Sequence, residues 1–312
     1  MDNRKLDSNI QPEFVNLRFL PGQRIIVLIV ALCLFSILGS VIIGLVMRNG
    51  VSAQSLRIST VLQDCIIFIF PAIVAALLIS PYSARFLGIE KRFTPIQLVL
   101  AIVGMLMSIP AMNALVELNE NMTLPSAFSE LENWMRNAEE QAQSSVEILL
   151  GNPSIGSLIV NILIVGVLAG FSEELFFRGA LQRILLSCKI NHHGAIWITA
   201  FVFSAFHLQF FGFFPRLILG AYFGYLFYWS KSLWLPVILH VLNNSLVVFT
   251  LWHKNSTGIS ESETINHLGV DSPLQVITSI IITAFVIKYL YRYSMISKRE
   301  SSGNYSANQQ SK

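Results

Sequence analysis

Uninterrupted apolar stretches dominate this chain, and polar positions gather mainly in the intervals between them. The stretches fall at 23–46, 59–79, 95–116, 155–177, 194–208, 213–229, 233–252 and 273–293. Crossing the hydrocarbon of a bilayer takes about 20 apolar residues in a helix, so the pattern predicts about eight transmembrane helices. The first stretch is longer than a signal-peptide core and no small-residue cleavage site follows it, so it is read as a true span. Those at 194–208 and 213–229 are short and depend on the aromatic-rich link 209–215. Pro95, Pro215, Pro236 and Pro273 fall near predicted helix starts, where a missing N–H costs little. Pro71 and Pro110 are interior and should bend their helices. Between the third and fourth stretches lies a long acidic link with seven glutamates against Arg136. Within it Phe128, Leu131, Trp134, Met135 and Ala138 recur at helical spacing, which predicts an amphipathic helix on the outer surface or capping the bundle.

Composition agrees with this pattern. Hydrophobic residues make up 54% of the 312 and charged residues 12%, against about 25% charged in soluble domains. That excludes a cytosolic globular enzyme, a disordered chain and a secreted disulfide scaffold. The net charge is +3 with no basic run clear of the membrane segments, so no nucleic acid is expected as a partner. Cys33, Cys65 and Cys188 are too scattered for a metal or disulfide pattern. With eight spans and the N-terminus inside, 16 of the 21 Lys and Arg residues lie on the cytoplasmic side, as the positive-inside rule requires. The expected fold is therefore all-α, a polytopic membrane helix bundle of about eight helices with both termini cytoplasmic. Its parts are a cytoplasmic tail at 1–23, three helices over 24–118 and the extracytoplasmic acidic link at 119–153. A core of four helices at 154–252, an outer loop with the last helix at 253–293 and a second cytoplasmic tail at 294–312 complete it. The polar ends 1–16 and 300–312 read as irregular.

Ionisable groups inside a bilayer are costly and mark functional sites by default. Here they concentrate in the second half: Glu173, Glu174, Arg178, His207, His240, Asn243 and Asn244, with only Asp64 in the first. Glu174 and Arg178, four apart, share a helix face and can pair. Glu173, turned about 100° away, is left as a less-paired carboxylate. His240 and Asn244 lie one turn apart on one face. Placed by the helical rise of 1.5 Å per residue, His207 comes out roughly 15 Å and His240 roughly 10 Å from the cytoplasmic ends of their spans. A carboxylate, two imidazoles and an amide converging on one cavity supply what peptide-bond hydrolysis requires: a base for water, an orienting group and oxyanion donors. Ser204 faces away from His207 and no cysteine lies in a motif, so activated water is favoured over a side-chain nucleophile. Gly220 and Gly224 could allow close helix contact or be ordinary packing.

At these residues the sequence resembles the CAAX-protease and bacteriocin-processing family of intramembrane proteases, the Abi family, which includes the eukaryotic prenyl-protein endoprotease. The motifs E-E-x-x-x-R, F-x-x-x-H and H-x-x-x-N are matched by Glu173, Glu174 and Arg178, by Phe203 and His207, and by His240 and Asn244. The resemblance implies that Glu173 and His207 activate water, that His240 and Asn244 stabilise the oxyanion, and that Glu174, Arg178 and Phe203 support the site. It leaves open whether Glu173, His207 and His240 hold a zinc ion as a His₂Glu set or act without metal. A membrane-associated protein or peptide as substrate, and the plasma membrane as location, are further implications. Two rival readings remain at this level. One is a transporter, although transporters usually show paired repeats; the other is a non-catalytic immunity or scaffold protein that uses the polar cluster for binding.

Overall fold

Without water to bond, an apolar stretch in a bilayer must close its own ladder of N–H···O=C bonds, which a helix does. The structure is a computed structural model describing residues 17–258, 268–269 and 272–310, with side chains to 296. Among the described residues there are only helices and the turns between them. The helices are α1 (Pro21–Met47), α2 (Ala53–Ile79), α3 (Pro95–Met107), α4 (Ile109–Glu120) and α5 (Ser129–Leu150). They continue with α6 (Ile155–Ser187), α7 (His192–Phe206), α8 (Phe213–Ser230), α9 (Trp234–Thr257) and α10 (Pro273–Gln310). The expected irregular N-terminal tail at 1–16 and most of the outer loop lie outside the described residues. At the other end the backbone stays helical to Gln310, so the polar C-terminal stretch extends α10.

Among the described residues six helices are long and apolar enough to cross a membrane, or seven when the pair α3–α4 counts as one span. The pair is bent by 46° at Ser108–Pro110, where the proline ring removes a ladder bond and crowds the preceding turn. The expected eighth crossing, 194–208, is where the count differs. α7 has 15 residues, about 22 Å of helix at 1.5 Å per residue, against a hydrocarbon core of about 30 Å. It starts at Asn191, whose side chain accepts the Gly194 N–H at 2.7 Å, and it stops at His207. Leu208 then turns left-handed with φ 52°, and the chain returns through α8, so α7 and α8 form a helical hairpin. Pro71 lies within α2, which runs on as one span. A π-turn at Asp64–Ile69 widens the helix two residues before the proline.

Close approach in the hairpin depends on two glycines. A Cβ on Gly220 would stand 3.0 Å from the Phe203 ring, and one on Gly224 would stand 2.9 Å from Ile196 and 3.0 Å from Gln182. Two apolar clusters result. One gathers Ala101, Ile196, Ala200, Phe223, Leu226, Leu239 and Leu290, from α3 and α7–α10. The other joins Ala72, Ala75, Phe176, Phe177, Phe203 and Val237, from α2, α6, α7 and α9. The polar residues singled out above lie where the two meet. Outward, α1 and α10 present large apolar side chains such as Leu34, Ile37 and Phe285, a surface suited to lipid. The chain is an integral membrane protein.

α5 forms within the acidic link, as its periodicity predicts, and it covers the tip of the hairpin. Trp134 packs on Phe210 with ring centroids 5.3 Å apart, and the Arg136 guanidinium lies 4.5 Å from the Phe211 ring centroid. Glu132 accepts from Arg136 at 2.7 Å and from the Leu124 N–H at 2.9 Å. The Arg136 bond, followed by that backbone bond, holds the Glu132 carboxyl below the usual glutamate range.

Candidate active site

α6 carries the two glutamates on a short α-helical stretch, Ala169–Glu174, between two π-segments, Ile162–Leu168 and Leu175–Gln182. Widened turns of this kind recur at functional sites because they re-aim side chains and free carbonyls. Here the Val165 carbonyl accepts from Asn244 Nδ2 at 3.1 Å, which ties α9 to α6. Gly170 permits the same approach, since a Cβ there would stand 3.1 Å from the Val241 backbone nitrogen.

The predicted clamp is present. Arg178 Nη1 donates to Glu174 Oε1 at 2.6 Å with both side chains fully buried. Arg178 Nη2 donates to the Gly220 carbonyl at 2.9 Å, and one turn on, Gln182 Nε2 donates to the Gly224 carbonyl at 3.0 Å. The two glycines of α8 therefore leave room for the hairpin and place their carbonyls against α6. The guanidinium also lies 4.7 Å from the centroid of the Phe203 ring and 5.6 Å from that of Phe223, a cation–π contact on two faces. In the loop count of positive charges Arg178 does not belong, because it is core; Arg183 is likewise buried, bonded to the Phe86 carbonyl at 2.6 Å.

His240 links the two acids. Its Nδ1 is 2.8 Å from Glu174 Oε1, so Nδ1–H donates to the carboxylate, and its Nε2 is 3.6 Å from Glu173 Oε2. Each acid keeps one buried oxygen, Glu173 Oε2 and Glu174 Oε2, without a hydrogen-bond partner. The two differ at the other side: Glu174 Oε1 is held by both Arg178 and His240, whereas Glu173 has only the longer approach to His240.

His207 stands at the end of α7, not deep within a longer span. Its Nδ1–H donates to the Phe203 carbonyl at 2.9 Å, which fixes the tautomer and leaves Nε2 as an acceptor. Although 15 residues from the start of α7, it meets His240 at one ring: Phe203 packs edge-on against both imidazoles, with centroids 5.0 Å and 5.9 Å away. The unequal depths estimated from the sequence therefore do not separate them. Glu173 and His240 both lie within electrostatic reach of His207. Asn244 accepts from Asn243 Nδ2 at 3.2 Å and spends one amide hydrogen on Val165. Ser204 donates to the Phe213 carbonyl at 2.6 Å, a structural bond that removes it as a nucleophile.

Among the described residues no three His, Cys, Asp or Glu side chains are gathered as a metal ion would require. His240 is already oriented by Glu174 on one nitrogen and faces Glu173 on the other. The arrangement therefore does not fit a three-ligand zinc centre as it stands.

Several participants escape sequence reasoning. Gln182 and Phe223 belong to no motif, and only their contacts reveal them. Ser172, beside Glu173, bonds Asp64 Oδ1 at 2.9 Å, which brings the one ionisable group of the first half to the site. Residues 155–246, from the start of α6 to the middle of α9, match the family model for type II CAAX prenyl endopeptidase Rce1-like proteins. No curated protein and no solved structure matches the chain.

Proposed function

From its relationship to the CAAX protease family, carried by residues 155–246, we propose that the chain is an intramembrane endopeptidase that hydrolyses a membrane-associated protein or peptide with activated water. The observation that carries this reading is the unequal environment of the paired acids: Glu174 is clamped through Oε1 by Arg178 and His240, while Glu173 has no cation bonded to it and faces His240 Nε2 at 3.6 Å. Glu173 takes a proton from water, while His207 Nε2 orients that water toward the scissile carbonyl. The hydroxide oxygen bonds to the carbonyl carbon and the carbonyl electrons move to its oxygen. His240, with a proton on each nitrogen, donates Nδ1–H to Glu174 and Nε2–H to that oxyanion, joined by the remaining amide hydrogen of Asn244. Collapse of the intermediate breaks the C–N bond, and Glu173 returns its proton to the departing amine. No step passes through a metal.

The charge distribution supports both termini in the cytoplasm of a plasma-membrane protein. Six crossings keep the termini on one side, and a seventh through α3–α4 would part them. Reporter fusions at each end test that arrangement.

The test of the chemistry is a comparison of membrane-protein termini in cells expressing wild type or Glu173→Gln. New termini present only with wild type support the reading and identify the substrate; identical sets of termini defeat it. Metal content per purified chain, measured beside chelator-treated cleavage, separates the two forms of water activation. Full activity at negligible metal supports the scheme above, and stoichiometric zinc with chelator-sensitive cleavage replaces it.

A further inference from the structure

Asp64 belongs to none of the motifs, and α2 lies outside the matched region, yet the fold delivers this side chain to Glu173. It sits in the widened turn Asp64–Ile69 and is only 2% exposed. Burying a carboxyl is costly unless every oxygen is served. Oδ2 has no hydrogen-bond partner, and among the described residues no ion pair reaches the group. The charged group acting on it is Glu173, itself an acid. Arg178, the nearby cation of α6, is occupied by Glu174 and the Gly220 carbonyl.

The hydrogen inventory is informative. Ser172 Oγ stands 2.9 Å from Asp64 Oδ1 and 3.0 Å from the Ala169 carbonyl. The second contact is the back-bond that a serine makes within a helix. A hydroxyl has one hydrogen to give, and a carbonyl has none. When Ser172 serves Ala169, the hydrogen between Ser172 and the carboxyl must come from Asp64.

We propose that Asp64 is a positioning residue of the site, kept as a neutral carboxylic acid that donates to Ser172 and pins the turn bearing Glu173. The device fixes Glu173 from a third helix without setting a second negative charge beside it. Its functional half rests on the protease reading; its chemical half does not.

The test uses the full-length protein in bilayers at neutral pH. The infrared difference spectrum between wild type and Asp64→Asn should contain the C=O stretching band of a protonated carboxylic acid. Absence of that band overturns the proposal whether or not any peptide is cleaved. In cleavage assays, Asp64→Asn can still donate through its amide and should keep the wild-type kcat and pH profile. Asp64→Ala should lose kcat by about tenfold to 10²-fold, the scale of a misplaced catalytic group, with KM unchanged. A folded Asp64→Asn variant as inactive as Glu173→Gln, or an Asp64→Ala variant as active as wild type, would each overturn it. Wild-type protein that cleaves nothing while showing the band would sink the protease reading and leave the neutral acid standing.

Discussion

The helices that carry the site and those that surround it are held by different forces. α6, α8 and α9 are joined by buried polar contacts in series: Glu174 to Arg178 and His240, Arg178 to Gly220, Gln182 to Gly224 and Asn244 to Val165. α1 buries only Leu28, Ala31 and Gly39 and half-covers Ile25, Val27 and Leu32, while Leu34, Ile37 and Val41 are open to lipid. In a bilayer the lipid tails are as apolar as leucine, so apolar contacts discriminate weakly between partners. An unserved polar group has no such tolerance. The site region therefore has one arrangement that satisfies it, whereas the periphery needs little more than continuous apolar cover.

That contrast is most sharply tested at the chemistry. Glu173→Gln or His207→Ala should lower cleavage by about 10²–10⁴-fold, the contribution of a positioned acid–base group, with insertion and thermal stability unchanged. Loss of folding in both variants would make these residues structural instead. Next in size, Arg178→Met leaves Glu174 as a buried acid without its guanidinium, held by His240 alone, and should cost about 3–5 kcal/mol of stability. Adding Glu174→Leu should restore much of it while abolishing activity, a separation readable from denaturation in detergent beside a peptide assay. Gly224→Val places carbon against Ile196 at the hairpin and should cost about 1–3 kcal/mol. The same measurement on Phe285→Leu, at the lipid face of α10, should show a change within about 0.5 kcal/mol. Equal losses at the two positions would erase the distinction between regions.

The smallest effect concerns α5, the acidic cover over the hairpin tip. Glu132 ionises more readily in the folded protein than in the unfolded chain, so its contribution is complete above the ordinary glutamate range and is lost as pH falls below it. Its partner Arg136 is largely open to solvent, so the pair contributes modestly. Glu132→Gln should therefore lower stability slightly in the neutral region, flatten the acid side of the profile and leave the most acidic end unaffected.

Apolar run length and residue spacing were enough to place the helices and to pair Glu174 with Arg178, because both depend only on local periodicity. The span count differs at α7 for a local reason too: apolarity continues past His207, but Leu208 turns the chain left-handed there, and hydropathy does not register a backbone turn. The π-turn at Asp64–Ile69, two residues before Pro71, is equally invisible to hydropathy. In the site, the sequence expected Glu173, His207, His240 and Asn244 to converge; Glu173 lies 3.6 Å from His240, and Phe203 packs on both imidazoles. The sequence did not anticipate that His240 would stand between both glutamates, since which nitrogen meets which oxygen depends on helix rotation and separation.

From the sequence alone followed an all-helical membrane protein, the helix faces that bear its polar groups and the motifs that relate its core to a protease family. These are consequences of composition and of a 3.6-residue period, which every short segment expresses by itself. Only the tertiary structure decided that Asp64, Gln182 and Phe223 join the motif residues, that α7 stops short, and that one acid is clamped while its neighbour is left open. Those outcomes arise where four helices press together and each buried polar atom must find a partner from another part of the chain, a condition no single segment contains.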